Sequence, residues 1–293
     1  MYPFSFSKHA AALYAALILA VFCAGVWGVV YAETPHLSGV LTFAVLNVGQ
    51  GDALYIESPT GVQLLVDGGP DDSLLRELPV VMPALDRSVD VVIATHPDAD
   101  HIGGFSDLLD RYEVGVFISP GIYKDTATAK TLETKVDEKQ ILRVVARRGM
   151  LLDLGGGAML QILYPDRDVS VLPGNRANEG CIVAKLIYKD TSALLTCDAP
   201  ATTEARLLQI VRGELASDIL KVPHHGSKYS STEPFIAAAH PAIAVISVGK
   251  NSYGHPTGQT LDRLTARDIE ILRTDQEGTI VFRSDGVTFS RDQ

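Results

Sequence analysis

Between Thr95 and Gly104 the chain reads Thr-His-Pro-Asp-Ala-Asp-His-Ile-Gly-Gly, and four of the six residues from 96 to 101 can donate to a metal ion: His96, Asp98, Asp100 and His101. The cluster follows the apolar run Val89–Thr95 directly, so it sits at a strand end. Gly103-Gly104 is expected to let the chain turn tightly into a helix. Imidazole and carboxylate donors suit zinc, manganese or iron. Asp98 adds an oxygen and tilts the choice toward manganese. Such a cluster can hold one or two divalent ions, Zn²⁺ or Mn²⁺. A turn of capping aspartates is the plainer alternative, and two histidines bracketing two aspartates argue against it.

The elements that must position this cluster are read from apolar periodicity. Strands are expected at Leu41–Val48, Ala53–Glu57, Val62–Asp67, Val89–Thr95, Val114–Ile118, Met159–Tyr164, Cys181–Tyr188, Ala193–Cys197, Ile219–Val222, Ala242–Val248, Ile269–Arg273 and Thr279–Phe282. Helical patterns fall at Phe105–Arg111, Thr128–Arg148, Thr203–Arg212, Thr232–Ala239 and Gln259–Arg267. Strands in hairpins that then mix with helices imply an α/β fold of two mixed sheets flanked by helices. Several strand ends carry polar residues (Asp67, His96, Asp198, His224), which is how such sheets build a site along one edge. Asp67 is expected to support the His96 loop by hydrogen bonds and Asp52 to fix a turn.

Charge narrows the function classes. Lys plus Arg number 25 against 35 Asp plus Glu, a net of −10. Wholesale electrostatic binding to nucleic acid is not expected, and any such binding needs a local basic patch. The one basic stretch, Lys124 to Arg148, is a candidate polyanion track or a solvated helix face with opposite-sign pairs. Cys181 and Cys197 fall on two strands of a hairpin; if it turns at Lys189-Asp190 their side chains face opposite ways and buried thiols are expected, whereas a one-residue slip of register would bring them together as a disulfide.

The residues from Ala10 to Ala32 carry no charge, with Lys8 before them and Glu33 after. At about 1.5 Å per residue the segment spans a bilayer core of about 30 Å. Four segments are therefore expected: a short cytoplasmic N-terminus (1–9), a transmembrane anchor or signal sequence (10–32), a linker (33–38) and one domain (39–293). Positive charge stays inside, so the domain is expected outside the cytoplasm, membrane-anchored or secreted after cleavage at Val30-Tyr31-Ala32.

His96-x-Asp98-x-Asp100-His101 resembles the first metal motif of the metallo-β-lactamase superfamily. More narrowly, Leu46-Asn47-Val48-Gly49-Gln50-Gly51-Asp52-Ala53, Leu65-Val66-Asp67-Gly68-Gly69 and Lys221-Val222-Pro223-His224-His225-Gly226-Ser227 resemble the hydrolase domain of the ComEC family of competence DNA-uptake proteins. The likeness runs from about Leu41 to Phe282. It implies a metallo-β-lactamase-like αββα sandwich, preceded here by one N-terminal membrane helix. The multi-helix channel of the family is absent, so a stand-alone form is expected.

The resemblance extends to further residues. Asp198 matches the family's bridging carboxylate, and His225 aligns with the last metal histidine, with His224 beside it as the competing ligand. No histidine occurs between His101 and His224, where the superfamily usually has one. Asn178 stands in the corresponding Asn-rich segment, as a further ligand or as a simple turn residue. Tyr253-Gly254-His255-Pro256 matches the family's Gly-His-Pro segment. His255 could give a proton to a leaving oxygen or contact a phosphate, or only order the helix start. Asp100 and His255 are the candidates for direct participation in catalysis. Lys221, Ser227, Lys228 and Lys250 flank the same strand ends as candidate anion contacts.

The implied function is metal-assisted hydrolysis of a phosphodiester by an activated water, with single-stranded DNA as the candidate substrate and a separate channel protein as candidate partner. A choline phosphate on a wall polymer is a variant of the same chemistry. The alternatives are hydrolysis of a carboxylic ester, lactone or β-lactam, and a non-catalytic metal-binding component of a DNA-uptake system.

Overall fold

In the strand Leu41–Val45 the side chains of Leu41, Phe43 and Val45 enter one apolar cluster and Ala44 enters another. That alternation is the period of two of a strand buried on both faces. The computed structural model describes residues 17–24, 39–83 and 85–292. Contacts divide the chain into a first unit, residues 1–36 with 83–85, and a second, 37–82 with 86–293. In the first unit residues 17–24 are helical and exposed. The rest of the expected membrane segment Ala10–Ala32 lies outside the described residues. No helix among the described residues is long and apolar enough to cross a membrane.

The second unit is built on two sheets. One contains β1 (Leu41–Val45), β2 (Leu54–Glu57), β3 (Gln63–Val66), β4 (Ser88–Ile93), β5 (Glu113–Ser119), β6 (Leu142–Val145), β14 (Ile280–Ser284) and β15 (Phe289–Arg291), in the order β15-β14-β1-β2-β3-β4-β5-β6. The other contains β7 (Leu151–Gly155), β8 (Ala158–Tyr164), β9 (Val183–Tyr188), β10 (Thr191–Leu195), β11 (Ile219–Lys221), β12 (Ile243–Ile246) and β13 (Glu270–Arg273), in the order β13-β12-β11-β10-β9-β8-β7. Both are mixed: β3 to β6 and β10 to β13 run parallel, the remaining pairs antiparallel.

The sheets share one interior, where Leu41, Phe43 and Ile56 join Leu160, Ile162 and Leu186. Each such side chain contributes about 1.5–3 kcal/mol by leaving water. Helices cover the outer faces. On the first sheet lie α1 (Ser73–Val81), α2 (Ala99–Ile102), α3 (Phe105–Arg111) and α4 (Ala127–Glu138), through Leu74, Ile102, Leu108 and Leu132. On the second lie α5 (Ala201–Ile210), α6 (Glu233–Ala239) and α7 (Gly258–Thr265), through Leu207, Phe235 and Leu264. The expected helix–sheet–sheet–helix sandwich is what the chain forms.

Three local expectations are corrected. The helix expected over Thr128–Arg148 stops at Glu138; Gln140 takes a φ of 54°, and β6 then pairs parallel with β5. Sheet pairing of the apolar run after Ile141 outweighs its helical periodicity. α1 and β7 were not anticipated at all. Gly103 and Gly104 do not supply unusual backbone angles, with φ at −59° and −74°. They supply space: a Cβ would lie 1.9 Å from the Pro70 carbonyl oxygen at Gly103 and 2.3 Å from that of Gly68 at Gly104.

Candidate metal centre

Five loops meet at one edge of the sandwich, each leaving the C-terminal end of a parallel strand. The loop after β3 brings Asp67; that after β4 brings His96 and Asp98 and runs into α2 with Asp100 and His101. The loop after β10 brings Asp198, that after β11 His224 and His225, and that after β12 the segment to His255. Parallel neighbours end on the same edge, so ligands distant in sequence converge there. Asp67, Cys197, His224 and His225 are all left-handed, with φ of 61°, 44°, 52° and 52°. Each such residue costs on the order of 1–3 kcal/mol, and the cost is concentrated around this one site.

The donor atoms of Asp100, His101, Asp198 and His225 all lie within 4.8 Å of one another. His101 Nε2 is 3.4 Å from Asp198 Oδ1 and 3.8 Å from Asp100 Oδ2. His225 Nε2 is 3.4 Å from Asp100 Oδ2 and 3.6 Å from Asp198 Oδ1. The His96 ring lies 4.0 Å from that of His101. The Nε2 atoms of His96, His101 and His225, and Asp198 Oδ1, are buried without a hydrogen bond among the described residues. An unpaired buried polar atom costs about 1–3 kcal/mol. Two imidazoles and two carboxylates, those of His101, His225, Asp100 and Asp198, converge with the His96 ring beside them, and such donors suit a divalent cation, so these residues fit a metal ion.

A second layer aims the first. Asp67 accepts from the Thr95 backbone N–H at 2.8 Å and the Thr95 hydroxyl at 2.7 Å, and its Oδ2 faces His101 Nδ1 at 2.8 Å. His225 Nδ1 donates to the Ser247 carbonyl at 2.9 Å. Both contacts leave Nε2 facing the cluster. Burial pushes the His101 and His225 imidazoles down, but the Asp198 carboxylate, with Asp67 beside His101 and Asp52 beside His225, outweighs it. His101 is held well above its ordinary value and His225 is pushed up to about 10. Burial would raise Asp198, yet His101 and His225 hold it well below the carboxylate range. Asp100 is likewise brought to about 2 against burial, by the His225 imidazole beside it and by His101. His96 is lowered by burial and by the neighbouring His101. The field that retains protons on two imidazoles is the field that attracts a cation.

The other candidate residues are placed differently. Asp98 accepts from the Lys124 ammonium at 2.7 Å and faces the cavity from outside the four-residue cluster. His224 is partly exposed, with Nε2 3.5 Å from Asp198 Oδ2; His225, not His224, stands in the cluster. Asn178 lies in a 3-10 turn, Gly174–Gly180, and faces the same cavity of about 150 Å³, together with Gln50, Tyr253 and His255. Burial, then His224 and His225, hold His255 below the usual histidine range. Lys221 is no anion contact: it is fully buried and donates to Asp52 at 2.7 Å and to the Val222 carbonyl at 3.1 Å. Ser227 is buried too, its hydroxyl accepting from the Tyr229 N–H at 3.3 Å. The Asp52–Lys221 pair was missed in the sequence, where its one signal is a lysine inside the apolar run Ile219–Val222.

Two more expectations meet the structure here. Cys181 and Cys197 form a disulfide, Cα–Cα 6.4 Å, although the hairpin register is the expected one, with Tyr188 opposite Thr191. Side-chain alternation holds only within the ladder. Past Leu195 the left-handed turn at Cys197 swings its sulfur to the side of Cys181. The basic stretch is largely neutralised: Lys130 pairs with Asp125, Lys135 with Asp110, Arg143 with Glu133 and Asp137, and Arg147 with Asp168.

A family model described as the metallo-beta-lactamase superfamily matches residues 46–250. ComE operon protein 3 of Bacillus subtilis (strain 168) is 31% identical over 85% of this chain and 34% of its own length. Competence protein ComA of Neisseria gonorrhoeae is 27% identical over 81% of this chain and 31% of its own. The chain thus spans about a third of the curated relatives it matches. Among solved structures, Igni18, a metallo hydrolase from the archaeon Ignicoccus hospitalis, shares the fold, with a TM-score of 0.54, 16% identity, and coverage of 82% of this chain and 98% of that one.

Proposed function

The chain belongs to the metallo-beta-lactamase superfamily, as a metal-dependent hydrolase, and from that premise we propose that it is a phosphodiesterase that cuts single-stranded DNA. The observation that carries the hydrolytic reading is the set of buried donor atoms of His96, His101, Asp198 and His225 without a hydrogen bond among the described residues, two of which, Asp198 and His225, line an open cavity. The names of the competence relatives support a DNA substrate.

His101, Asp198, His225 and Asp100 would hold one ion, and His96 offers a donor for a second beside it. A divalent ion there supplies Lewis acidity and lowers the pKa of water toward neutrality. The chain's own residues do the rest. Asp67 and the Ser247 carbonyl fix the imidazole rings so that little reorganisation remains at reaction. His255, on the cavity wall, is held neutral near pH 7 and keeps one ring N–H to donate to a phosphate or leaving oxygen.

We propose further that residues 10–32 anchor the domain outside the cytoplasmic membrane, with a separate channel protein as partner. The Cys181–Cys197 disulfide supports that side, since disulfides persist in oxidising compartments. A carbonyl substrate and a purely metal-binding role are the other readings, and neither is favoured by a specific observation.

The test is degradation of single-stranded and duplex DNA by the purified chain with Mn²⁺, with Zn²⁺ and with chelator. Metal-dependent loss of single strands, absent in Asp198→Asn, is the expected result. A folded, metal-loaded protein that cuts no DNA would overturn the nuclease.

A further inference from the structure

A row of aromatic rings leads outward from the ligand cluster. The His224 ring stands edge-on to His225 at 6.2 Å and edge-on to His255 at 5.6 Å, and Tyr253 stacks on His255 at 5.7 Å with 29° between the planes. Tyr253 lines the same cavity as Asp100, Asp198 and His225, yet 72% of it is exposed. The loop that carries it is held by one side chain. Asn251 Oδ1 accepts from the backbone N–H groups of Tyr253 at 3.1 Å and His255 at 3.0 Å. Its amide donates to the Gly249 and His255 carbonyls, both at 2.9 Å.

An aromatic side chain that covers no core and sits on a braced loop keeps its outer face ready for a flat ligand. Resting on the phosphodiester reading, we propose that Tyr253 is a stacking platform for a nucleobase of the substrate, next to the phosphate held over the metal cluster. Every base has a π-face, so such a platform tolerates any sequence. A duplex keeps its bases stacked inside, so the same platform selects single strands. The phosphate-side chemistry would be common to many phosphodiesters, whereas the ring makes the site one for nucleic acid.

The experiment compares a thymidine 12-mer with an abasic 12-mer of the same phosphates, using the full chain loaded with Mn²⁺. Tyr253→Ala is expected to raise KM for the thymidine strand about 5- to 150-fold, the equivalent of about 1–3 kcal/mol of stacking, with kcat little changed. Tyr253→Trp should keep the wild-type KM, and the abasic strand should not distinguish Ala from Tyr. In a Trp27→Phe background, the emission of Tyr253→Trp should be quenched by the thymidine strand and not by the abasic one. An equal effect of Tyr253→Ala on both strands, or none on either, overturns the platform. If the wild type cuts neither strand while the selective quenching persists, the hydrolytic reading fails and the platform stands. Absence of that quenching overturns the platform alone.

Discussion

The ammonium of Lys221 donates to the carboxylate of Asp52 at 2.7 Å, across 169 residues of sequence, with both side chains shut off from water. Asp52 Oδ1 in turn lies 3.4 Å from His225 Nδ1. The pair therefore joins the first sheet's Gly-rich loop to the end of β11, directly behind a ring of the candidate metal centre. Lys221 and His225 hold Asp52 below the ordinary carboxylate range although burial pushes the other way.

Asp52→Asn should destabilise the fold by about 3–5 kcal/mol, because it leaves the Lys221 ammonium buried without its counter-charge. Adding Lys221→Met should recover a large part of that loss. Urea unfolding of the single and double variants measures it. Equal losses in both would show that the charge of Lys221 is not the problem.

Asp67→Asn should weaken metal binding about 10- to 100-fold, by loosening His101 and the Thr95 turn, while leaving the fold in place. Titration of the metal-free protein with Zn²⁺ or Mn²⁺, followed by calorimetry, gives the ratio. Wild-type affinity in the variant would remove Asp67 from the site's support.

The disulfide closes a loop with a sequence separation of 16 between Cys181 and Cys197, next to the candidate ligand Asp198. Cys181→Ser/Cys197→Ser should lower stability by about 3 kcal/mol. Thiol titration of the unreduced, denatured chain should find one thiol, that of Cys23. Three thiols would mean that the bridge does not form.

Glu204 is buried and accepts from the backbone N–H groups of Ser231 and Thr232 (the latter at 2.9 Å), ahead of α6. Burial raises its carboxyl above the ordinary glutamate value in spite of these hydrogen bonds. The folded state then binds the proton more tightly than the unfolded one. The carboxyl's contribution is fully present below the unfolded value and declines as the pH climbs from there through the folded value. The stability advantage of the wild type over Glu204→Gln should shrink between pH 4 and pH 7 in paired urea titrations; a constant or growing difference contradicts the assignment.

Much of this molecule is legible in the linear chain because its causes are local. Alternating apolar residues make β1, and the valine- and isoleucine-rich stretch before His96 makes β4; both can be seen without a partner strand. The density of donors from His96 to His101 marks a metal site because such residues seldom crowd together for any other physical reason. What the chain alone could not decide depends on contacts between distant segments. Asp98 reads as a ligand, and what the fold adds is that it lines the cavity while accepting from the Lys124 ammonium. Lys221 reads as a surface cation, but Asp52 draws it into the interior. The resemblance favours His225 and leaves His224 as a competitor, and after two consecutive left-handed residues it is His225 that stands in the cluster. The cysteines obey the hairpin's alternation until one backbone angle at Cys197 breaks it. Periodicity follows from bonded geometry and solvent, which every segment carries with it; pairing, burial of charge and the direction of a turn follow from which segments the closed sandwich brings face to face.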